Sequence, residues 1–387
     1  MEYLPGSLIV LQEKREKLAC KPCQGSVVTA PLVPHIVEGG LAGEGLIAYI
    51  LASKYIDGLT LTRLSKILAR EGVCLAESTL GDIVKQGTSV LPRLAAIIQK
   101  RVLSAPFLNQ DDSGLRVLDK EHPKGIKRGH IWAYVAGADV VYIYSPDWSG
   151  EHPRKFLRAY SGIIQGDGYS GISKLFTREA NSPTRAGCMM HCRRYFFEAY
   201  KTGDTQAGIA LAIINELYAI EHNAKSAKLD ETGRLNLRQS KSLPRMQRLQ
   251  RWITQLQPRT LPKSALGQAL TYATRQWDSL LVPFFDGRME IDNSEAERRL
   301  KVLAIGRKNW LFAGSDQGAE RAALALTVLG TAVNHGLNPV AYLTDVFRQI
   351  AGGLPRSRFG ELHPAVWAEK RGQQATAHQA ILPRIAV

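Results

Sequence analysis

The chain has 387 residues, of which 45% are hydrophobic and 22% are charged, and its formal net charge is +15 at pH 7. Its length is too great for one small core, so two or three structural units are expected. Apolar runs such as 322–326 are far shorter than the ~20 residues of a membrane helix, and no signal segment opens the chain, which argues against membrane and secreted classes. The excess of basic residues favours a polyanionic partner, above all nucleic acid.

The N-terminal segment contains half of a zinc-ribbon pattern. Cys20 and Cys23 are spaced as two zinc ligands, but a closed tetrahedral site needs four ligands and no second pair follows nearby. We therefore expect no strong zinc binding at Cys20 and Cys23, and we assign residues 1–34 to a residual half ribbon and linker. The abrupt start suggests that an N-terminal portion is absent. The five cysteines, odd in number and not spaced as a disulfide framework, fit a reducing cytoplasm.

Residues 35–104 show the spacing of apolar residues that is typical of helices. Gly72 interrupts the pattern, and Ser78 is predicted to cap a short helix over 79–86. Helix, turn and short helix resemble a helix-turn-helix DNA reader, so we predict a helical DNA-binding region. A plain helical hairpin fits the pattern about equally well, because the second helix carries no basic set of side chains.

From Phe107 onward the apolar spacing changes to two, which is typical of strands. Strands are predicted over 107–117, 130–135, 140–144, 162–165 and 185–190, with helices over 149–160 and from His191. Three consecutive strands followed by alternating helix and strand predict an α/β sheet of mixed direction. The order matches a ribonuclease-H-like core, in which the first and fourth strands end next to each other. We place this core in residues 105–203 and 287–347, followed by a C-terminal tail, 348–387.

An all-helical insertion is predicted over residues 204–286. Between Thr232 and Trp277 there is no Asp or Glu, and basic residues recur there at steps of three or four: Arg234, Arg238, Lys241, Arg245, Arg248 and Arg251. This spacing places the charges on one helical face, and Pro244 implies two helices. A charge run is usually a solvated face, but a run of one sign without acidic partners favours contact with phosphate.

Three acidic residues occupy positions suited to binding divalent cations. Asp111 and Asp167 lie at the ends of predicted strands, and Glu297 lies near the start of a predicted helix. Ribonuclease-H-like nucleases hold paired cations with two strand-end aspartates and a helical glutamate, and Mg²⁺ prefers such hard oxygen ligands. Only one of Asp111 and Asp112 can serve, because consecutive residues of a strand face opposite sides.

Five segments, in order, carry a resemblance to a known family: LNQDDSGLRV, QGDGYSG, AGCMMHCRRYFFEA, IDNSEAERRLK and GRKNWLFAGSDQGAERAA. Together they resemble the DDE transposases of the insertion-sequence 66 family, over nearly the whole chain. The resemblance implies a ribonuclease-H-like catalytic domain with two Mg²⁺ or Mn²⁺ ions, cleavage at transposon ends and strand transfer into target DNA. It also implies a bacterial cytoplasmic protein that acts as a homo-oligomer on DNA, with helper proteins of the element as further partners.

Asp111, Asp167 and Glu297 match the catalytic and metal-binding triad of that family. The family usually has Asp-Glu-Thr at the first position, whereas this chain has Asp-Asp-Ser, and the alignment favours Asp111 over Asp112. Glu295 precedes Glu297, but the Ala-Glu-Arg frame selects Glu297.

Further side chains are expected around the triad. Asn293 lies one helical turn before Glu297, so its amide is expected to orient that carboxylate, and Asp292 or Asn293 is expected to cap the helix. Cys188 and His191 resemble a Cys-x-x-His signature of several DDE groups; zinc ligation together with Cys192 is one interpretation, and a buried thiol with a hydrogen-bonded imidazole is the other. Phosphate contacts are expected from Arg193, Arg194, Arg298, Arg307 and Lys308, and Trp310 is expected either to stack on an unpaired base or to fill the core.

Two alternative functions stay open from the sequence. A ribonuclease-H-like nuclease that cuts without joining would have the same metal site. A transposase-derived DNA-binding protein without turnover would be marked by loss of a triad carboxylate, and all three carboxylates are present.

Overall fold

The structure is a computed structural model that describes residues 8–22, 25–177, 179 and 181–379, with side chains as far as Arg371. Cys23 lies outside the described residues, and Cys20 is exposed, so weak zinc binding at this pair stays a prediction. The described chain divides into two compact units, one formed by Gln99–Lys301 and the other by the residues before and after it. The expected second core segment, 287–347, is therefore shared between the two units.

The elements in chain order are β1 Lys17–Ala19, β2 Val27–Thr29, α1 Glu44–Tyr55, α2 Leu61–Arg70, α3 Glu77–Ser89, α4 Leu91–Ser104, β3 Phe107–Leu118, β4 Ile126–Ala136, β5 Asp139–Ser145, α5 Glu151–Leu157, β6 Ile163–Gln165, β7 Thr184–Ala186, α6 Met189–Lys201, α7 Ala207–Ser226, α8 Glu231–Leu237, α9 Leu243–Leu256, α10 Ala265–Arg275, α11 Trp277–Leu281, α12 Ser294–Trp310, α13 Asp316–Asn334, α14 Pro339–Ala351 and α15 Pro364–Gln379. A π-helical turn, Arg238–Ser242, joins α8 to α9.

The unit outside Gln99–Lys301 is built around α1, which packs against α3, α13 and α14. The predicted helix, turn and second helix are present as α2 and α3, and their role as a DNA reader stays a prediction. The predicted cap is wrong: α3 begins at Glu77, and Ala76 occupies the N-cap position with no side-chain cap. By contrast, the Thr60 hydroxyl accepts the Arg63 N–H at 3.2 Å and caps α2. None of the described helices is long and apolar enough to cross a membrane.

The Gln99–Lys301 unit contains a five-stranded mixed sheet with strand order β5-β4-β3-β6-β7. β3, β4 and β5 form an antiparallel meander, whereas β6 pairs in parallel with β3, and β7 pairs in parallel with β6. All five predicted strands are present, and the prediction of a mixed α/β sheet is confirmed. β7 is shorter than predicted because the chain enters α6 at Met189, so the last residues of the predicted strand are helical.

The predicted insertion is wholly helical and shares one apolar core with α6. Phe196 of α6, Ile214 of α7, Leu249 of α9 and Leu270 of α10 are buried together in this core. Pro244 is the second residue of α9, and the chain is helical without a break from α8 through the π turn into α9. The prediction that Pro244 separates two helices is therefore wrong; the π turn that directly precedes α9 accommodates the proline within one continuous helical run.

Candidate active site

The parallel pair β3–β6 brings two of the three acidic residues to the same level of the sheet. Asn109 on β3 is the register partner of Gln165 on β6. Asp111 and Asp167 each lie two residues beyond that pair, so they leave the β3–β6 pairing at the same level. Asp167 follows the end of β6, whereas Asp111 lies inside β3, which continues to Leu118, so the expectation that Asp111 ends a strand is wrong. Glu297 lies in the first turn of α12.

The electrostatics of Asp111 show that the acidic residues are neighbours. Burial, together with the charges of Asp167, Asp112 and Glu297, raises the pKa of Asp111 to about 7, although a hydrogen bond from the Asp112 backbone N–H acts to lower it. In the described residues, the oxygens of Asp111, Asp167 and Glu297 do not all lie within 4.8 Å of one another. The site is thus a set of hard oxygen donors whose negative charge is not neutralised around Asp111.

Asp112 faces away from this set and is already engaged. Its Oδ2 lies 2.6 Å from His130 Nδ1, and its Oδ1 accepts the Trp148 indole N–H at 3.1 Å. The alternation of side chains along β3 therefore separates the two adjacent aspartates, and Asp111 is the one that points toward Asp167 and Glu297.

Beneath the three carboxylates lies a network of buried amides. Asn109 Nδ2 donates to Gln165 Oε1 at 2.8 Å and to Asn293 Oδ1 at 3.1 Å. Asn293 Nδ2 donates in turn to the Gln110 backbone carbonyl at 2.9 Å. Asn109 and Gln165 each lie two residues before an acidic residue, so this amide network ties together the three segments that carry Asp111, Asp167 and Glu297.

The expected role of Asn293 needs correction. Its side chain is fully buried and bonds to Asn109 and Gln110, so the amide does not bond to Glu297. Its effect on Glu297 is indirect, because it fixes the start of α12 against β3. Asn293 directly precedes α12 and its carbonyl accepts the Glu297 N–H at 3.3 Å, so Asn293 occupies the N-cap position, while Asp292 Oδ1 accepts the Ser294 N–H at 3.0 Å.

The turn after Asp167 is held by glycine and by the insertion. Gly168 has φ of +93°, a conformation that L side chains rarely adopt, which lets the chain turn directly after the carboxylate. The Asp167 carboxylate accepts the Tyr169 N–H at 2.9 Å, and its backbone carbonyl accepts the hydroxyl of Tyr272 from α10 at 2.8 Å. The insertion therefore contributes directly to the placement of Asp167.

Glu297 is approached by two cationic or titratable side chains of α6. Arg194 lies 3.5 Å and His191 Nε2 lies 3.8 Å from Glu297 Oε1. His191 Nδ1 is buried without a hydrogen-bond partner within the described chain, so the expectation of a hydrogen-bonded imidazole is wrong for that nitrogen. Burial lowers the pKa of His191, and the charge of Arg194 lowers it further.

The two cysteines near His191 are structural. Burial raises the pKa of both Cys188 and Cys192 to about 12, and Cys188 Sγ accepts the Asn293 backbone N–H at 3.1 Å. Across the described residues, Cys188, His191 and Cys192 do not form a group with three converging ligand atoms. The buried-thiol interpretation is therefore the one that fits, and zinc ligation here is not supported.

Several arginines predicted to bind phosphate in the insertion have protein partners instead. Arg238 is fully buried, forms a bidentate ion pair with Glu221 at 2.6–2.8 Å, and donates to three backbone carbonyls, so its assignment as a DNA contact is wrong. Arg245 and Arg248 share Glu216, at 2.7 and 2.5 Å. The expectation that this basic helical face has no acidic partners is wrong, because Glu216 and Glu221 of α7 pair with its arginines.

The remaining predicted contacts have different surroundings. Arg234 pairs with Glu290, Arg193 donates to Asn215, and Arg298 pairs with Glu295. Lys241 and Arg251 are exposed and form no ion pair among the residues that the structure describes. Three of the predicted DNA contacts belong to the other unit: Arg307, Lys308 and Trp310. The Trp310 side chain is half-buried and packs against Gly306 of the same helix.

Sequence reasoning missed Asn109, Gln165 and Arg185. The signal for the first two was a buried amide in an apolar strand, two residues before each candidate aspartate. Arg185 on β7 donates to the Tyr169 carbonyl at 3.1 Å. Burial lowers the pKa of Arg185, and the charge of Asp167 acts in the opposite direction. No local pattern distinguishes Arg185 from the other arginines of this basic chain.

The chain combines a mixed α/β sheet with three acidic residues that come from β3, from the loop after β6 and from the first turn of α12. Residues 39–321 match the family described as Transposase IS66 family, and residues 327–365 match the IS66 C-terminal element. The uncharacterised protein y4hP of Sinorhizobium fredii is 33% identical over 97% of this chain and 71% of its own length. A second uncharacterised protein of that organism, y4jD, is 32% identical over 97% of this chain and 76% of its own length. The chain belongs to the IS66 transposase family.

Proposed function

We propose that this chain is a DDE transposase, with Asp111, Asp167 and Glu297 as the residues that hold divalent cations for DNA cleavage and strand transfer. The observation that carries the proposal is that Asp111 on β3 and Asp167 just after β6 each lie two residues beyond the last pair of these parallel strands, with the charge of Glu297 acting on Asp111. The strand order, with the first and fourth strands of the sheet adjacent, supports a ribonuclease-H-like core.

The donor set fits Mg²⁺ or Mn²⁺. All three groups offer carboxylate oxygens, and the carboxylates of Asp167 and Glu297 act on Asp111 as like charges that a cation would offset. Cations held there supply Lewis-acid activation of the attacking water or 3′-hydroxyl and stabilisation of the departing 3′ oxygen.

The protein itself positions these ligands and the DNA. The amide network of Asn109, Gln165 and Asn293 fixes the three ligand-bearing segments relative to one another. Arg194, half exposed beside Glu297, is placed to donate to a phosphate oxygen of the DNA. Lys241 and Arg251 add exposed positive charge on the insertion, and α2–α3 is the proposed helix-turn-helix reader.

The direct test incubates the purified full chain with Mg²⁺ or Mn²⁺ and DNA that carries the ends of its own element. A transposase yields both nicked ends and joined products. Nicks without joining would indicate a nuclease, and DNA binding without either product would indicate a binding protein without turnover. Asp111→Asn is the matched control, because it preserves side-chain volume while removing the ligand charge.

A further inference from the structure

One face of the β3–β4 hairpin carries an aromatic stack next to the candidate active site. Trp148 stacks against Tyr169 with ring centroids 4.8 Å apart and against His130 at 5.7 Å. Its indole N–H donates to Asp112, and Tyr169 donates its hydroxyl to the Trp148 carbonyl at 2.6 Å. The indole is thus fixed in orientation, yet Trp148 is 52% exposed.

The stack is linked to both candidate catalytic aspartates. Trp148 bonds to Asp112, the direct neighbour of Asp111, and the Tyr169 backbone N–H donates to Asp167. β6 pairs with β3 only as far as Asn109. Beyond that point no described strand pairs with this edge of β3, and the stack lies on the face of β3 opposite the Asp111 side chain.

The same face carries two arginines opposite each other. Arg116 on β3 is the register partner of Arg128 on β4, and cross-strand partners share one face of a sheet. By the same register His130 and Asp112 lie on this face, and the Arg128 guanidinium lies over Gly114, where a Cβ would be 2.8 Å from Arg128 Nε.

This pairing of arginines is unfavourable for the protein by itself. Both side chains are exposed, and neither forms an ion pair in the part of the chain that the structure describes. Like charges directly opposite on paired strands destabilise a sheet. A polyanion on this face would remove the repulsion.

We propose that this face, defined by Arg116, Arg128 and Trp148 and called the ledge, binds an unpaired DNA strand. Trp148 stacks on an unpaired base, and Arg116 and Arg128 contact backbone phosphates of the same strand along this face. Exposed aromatic rings combined with basic side chains are the general means of binding single strands without sequence preference. The inference rests on the proposed function, because the unpaired strand is one that DNA cleavage at Asp111 produces or requires.

The test measures binding of the full chain in EDTA to two probes: a blunt DNA duplex, and the same duplex with an unpaired overhang containing 2-aminopurine. Trp148→Ala is expected to weaken overhang binding about tenfold and to abolish the 2-aminopurine quenching, because base–aromatic stacking is lost. Blunt-duplex affinity stays within about twofold, and Trp148→Phe retains most of the quenching. Tyr200→Ala, which removes another exposed aromatic side chain, is the matched control.

Two further variants keep the inference testable if Trp148→Ala does not fold. Trp148→Leu keeps apolar bulk without a stacking ring and is expected to lose the quenching. The double variant Arg116→Ala/Arg128→Ala is expected to flatten the log–log salt dependence of overhang binding by about 1.4. Unchanged overhang affinity and quenching in the Trp148 variants, or an equal loss of affinity for both probes, would contradict the proposal that the ledge binds an unpaired strand.

Because these measurements use EDTA and no cleavage, their outcome is separate from that of the proposed function. If the protein fails to cut DNA but overhang binding depends on Trp148, only the proposed function fails. If the protein cuts and joins DNA but overhang affinity is the same with and without the Trp148 side chain, only the proposed binding role of the ledge is contradicted.

Discussion

The side-chain amide of Asn293 donates to the backbone carbonyl of Gln110 at 2.9 Å, across 183 residues of sequence. Gln110 directly precedes Asp111, and Asn293 lies four residues before Glu297. One hydrogen bond therefore sets the strand that carries one proposed ligand against the helix that carries another.

We expect Asn293→Ala to lower the free energy of unfolding by about 2–4 kcal/mol, because it leaves buried polar partners unsatisfied. Cleavage should fall as well, since the start of α12 loses its anchor to β3. Urea denaturation and the cleavage assay measure the two effects. Asn236→Ala, at an exposed position of α8, is the control and should change neither; a fully active Asn293→Ala would refute the positioning role.

Asp111→Asn should abolish cleavage and joining while DNA affinity stays equal or rises, because a negative charge that repels phosphate is removed. Asp112→Asn should retain most activity, since Asp112 bonds to His130 and Trp148 on the opposite face. Product analysis on gels, together with binding curves, decides between them. The reverse outcome would move the first ligand to Asp112.

Mg²⁺ should raise the melting temperature of the wild type, because a ligand that binds only the native state stabilises it. Asp111→Asn should show little response to Mg²⁺, and in EDTA it should be more stable than the wild type, because burial and neighbouring carboxylates disfavour the Asp111 charge. Thermal unfolding with and without EDTA gives both quantities. Glu198→Gln, which removes an exposed carboxylate of α6, should keep the wild-type Mg²⁺ response.

Arg238→Ala should destabilise the protein by about 3–5 kcal/mol, because it leaves Glu221 as a buried charge without a partner. Arg251→Ala, at an exposed position on the same run, should change stability by no more than about 0.5 kcal/mol. Urea denaturation distinguishes the two. A stable Arg238→Ala protein with weakened DNA binding would restore the phosphate-contact assignment.

On the insertion, Lys241→Ala/Arg251→Ala should flatten the log–log salt dependence of duplex binding by about 1.8, because each exposed cation neutralises one phosphate. Arg245→Ala/Arg248→Ala should have a smaller effect, since Glu216 already pairs with both arginines. Equilibrium binding at several salt concentrations measures each slope. If neither pair changes the slope, the insertion does not contact DNA through this face.

Most of the fold was predictable because it depends on local periodicity. The change of apolar spacing at Phe107 marks a strand, and the glycine after Asp167 marks a turn, each within a few residues. The proposed ligands were also predictable, since each lies in a short segment with a recognisable neighbourhood. The acidic partners of the arginines were not predictable in this way.

The unpredicted contacts all join residues that are distant in sequence. Arg238 finds Glu221 across 17 residues, and Arg248 finds Glu216 across 32 residues, so a window confined to the basic run contains no acid. The Ser78 cap failed for a different reason: α3 begins at Glu77 after Ala76, which has no capping side chain, so the preference of serine for the N-cap position points to the wrong residue here.

The contacts that hold Asp167 have a consequence for the order in which the protein can become competent during synthesis. Gln165 donates to the carbonyl of Glu290, and Tyr272 donates to the carbonyl of Asp167, so both partners leave the ribosome more than a hundred residues after the strand they secure. A nascent chain that already displays Asp111 and Asp167 still lacks Asn293 and Glu297. Incomplete translation products therefore carry two of the acidic residues without the contacts that align them with the third.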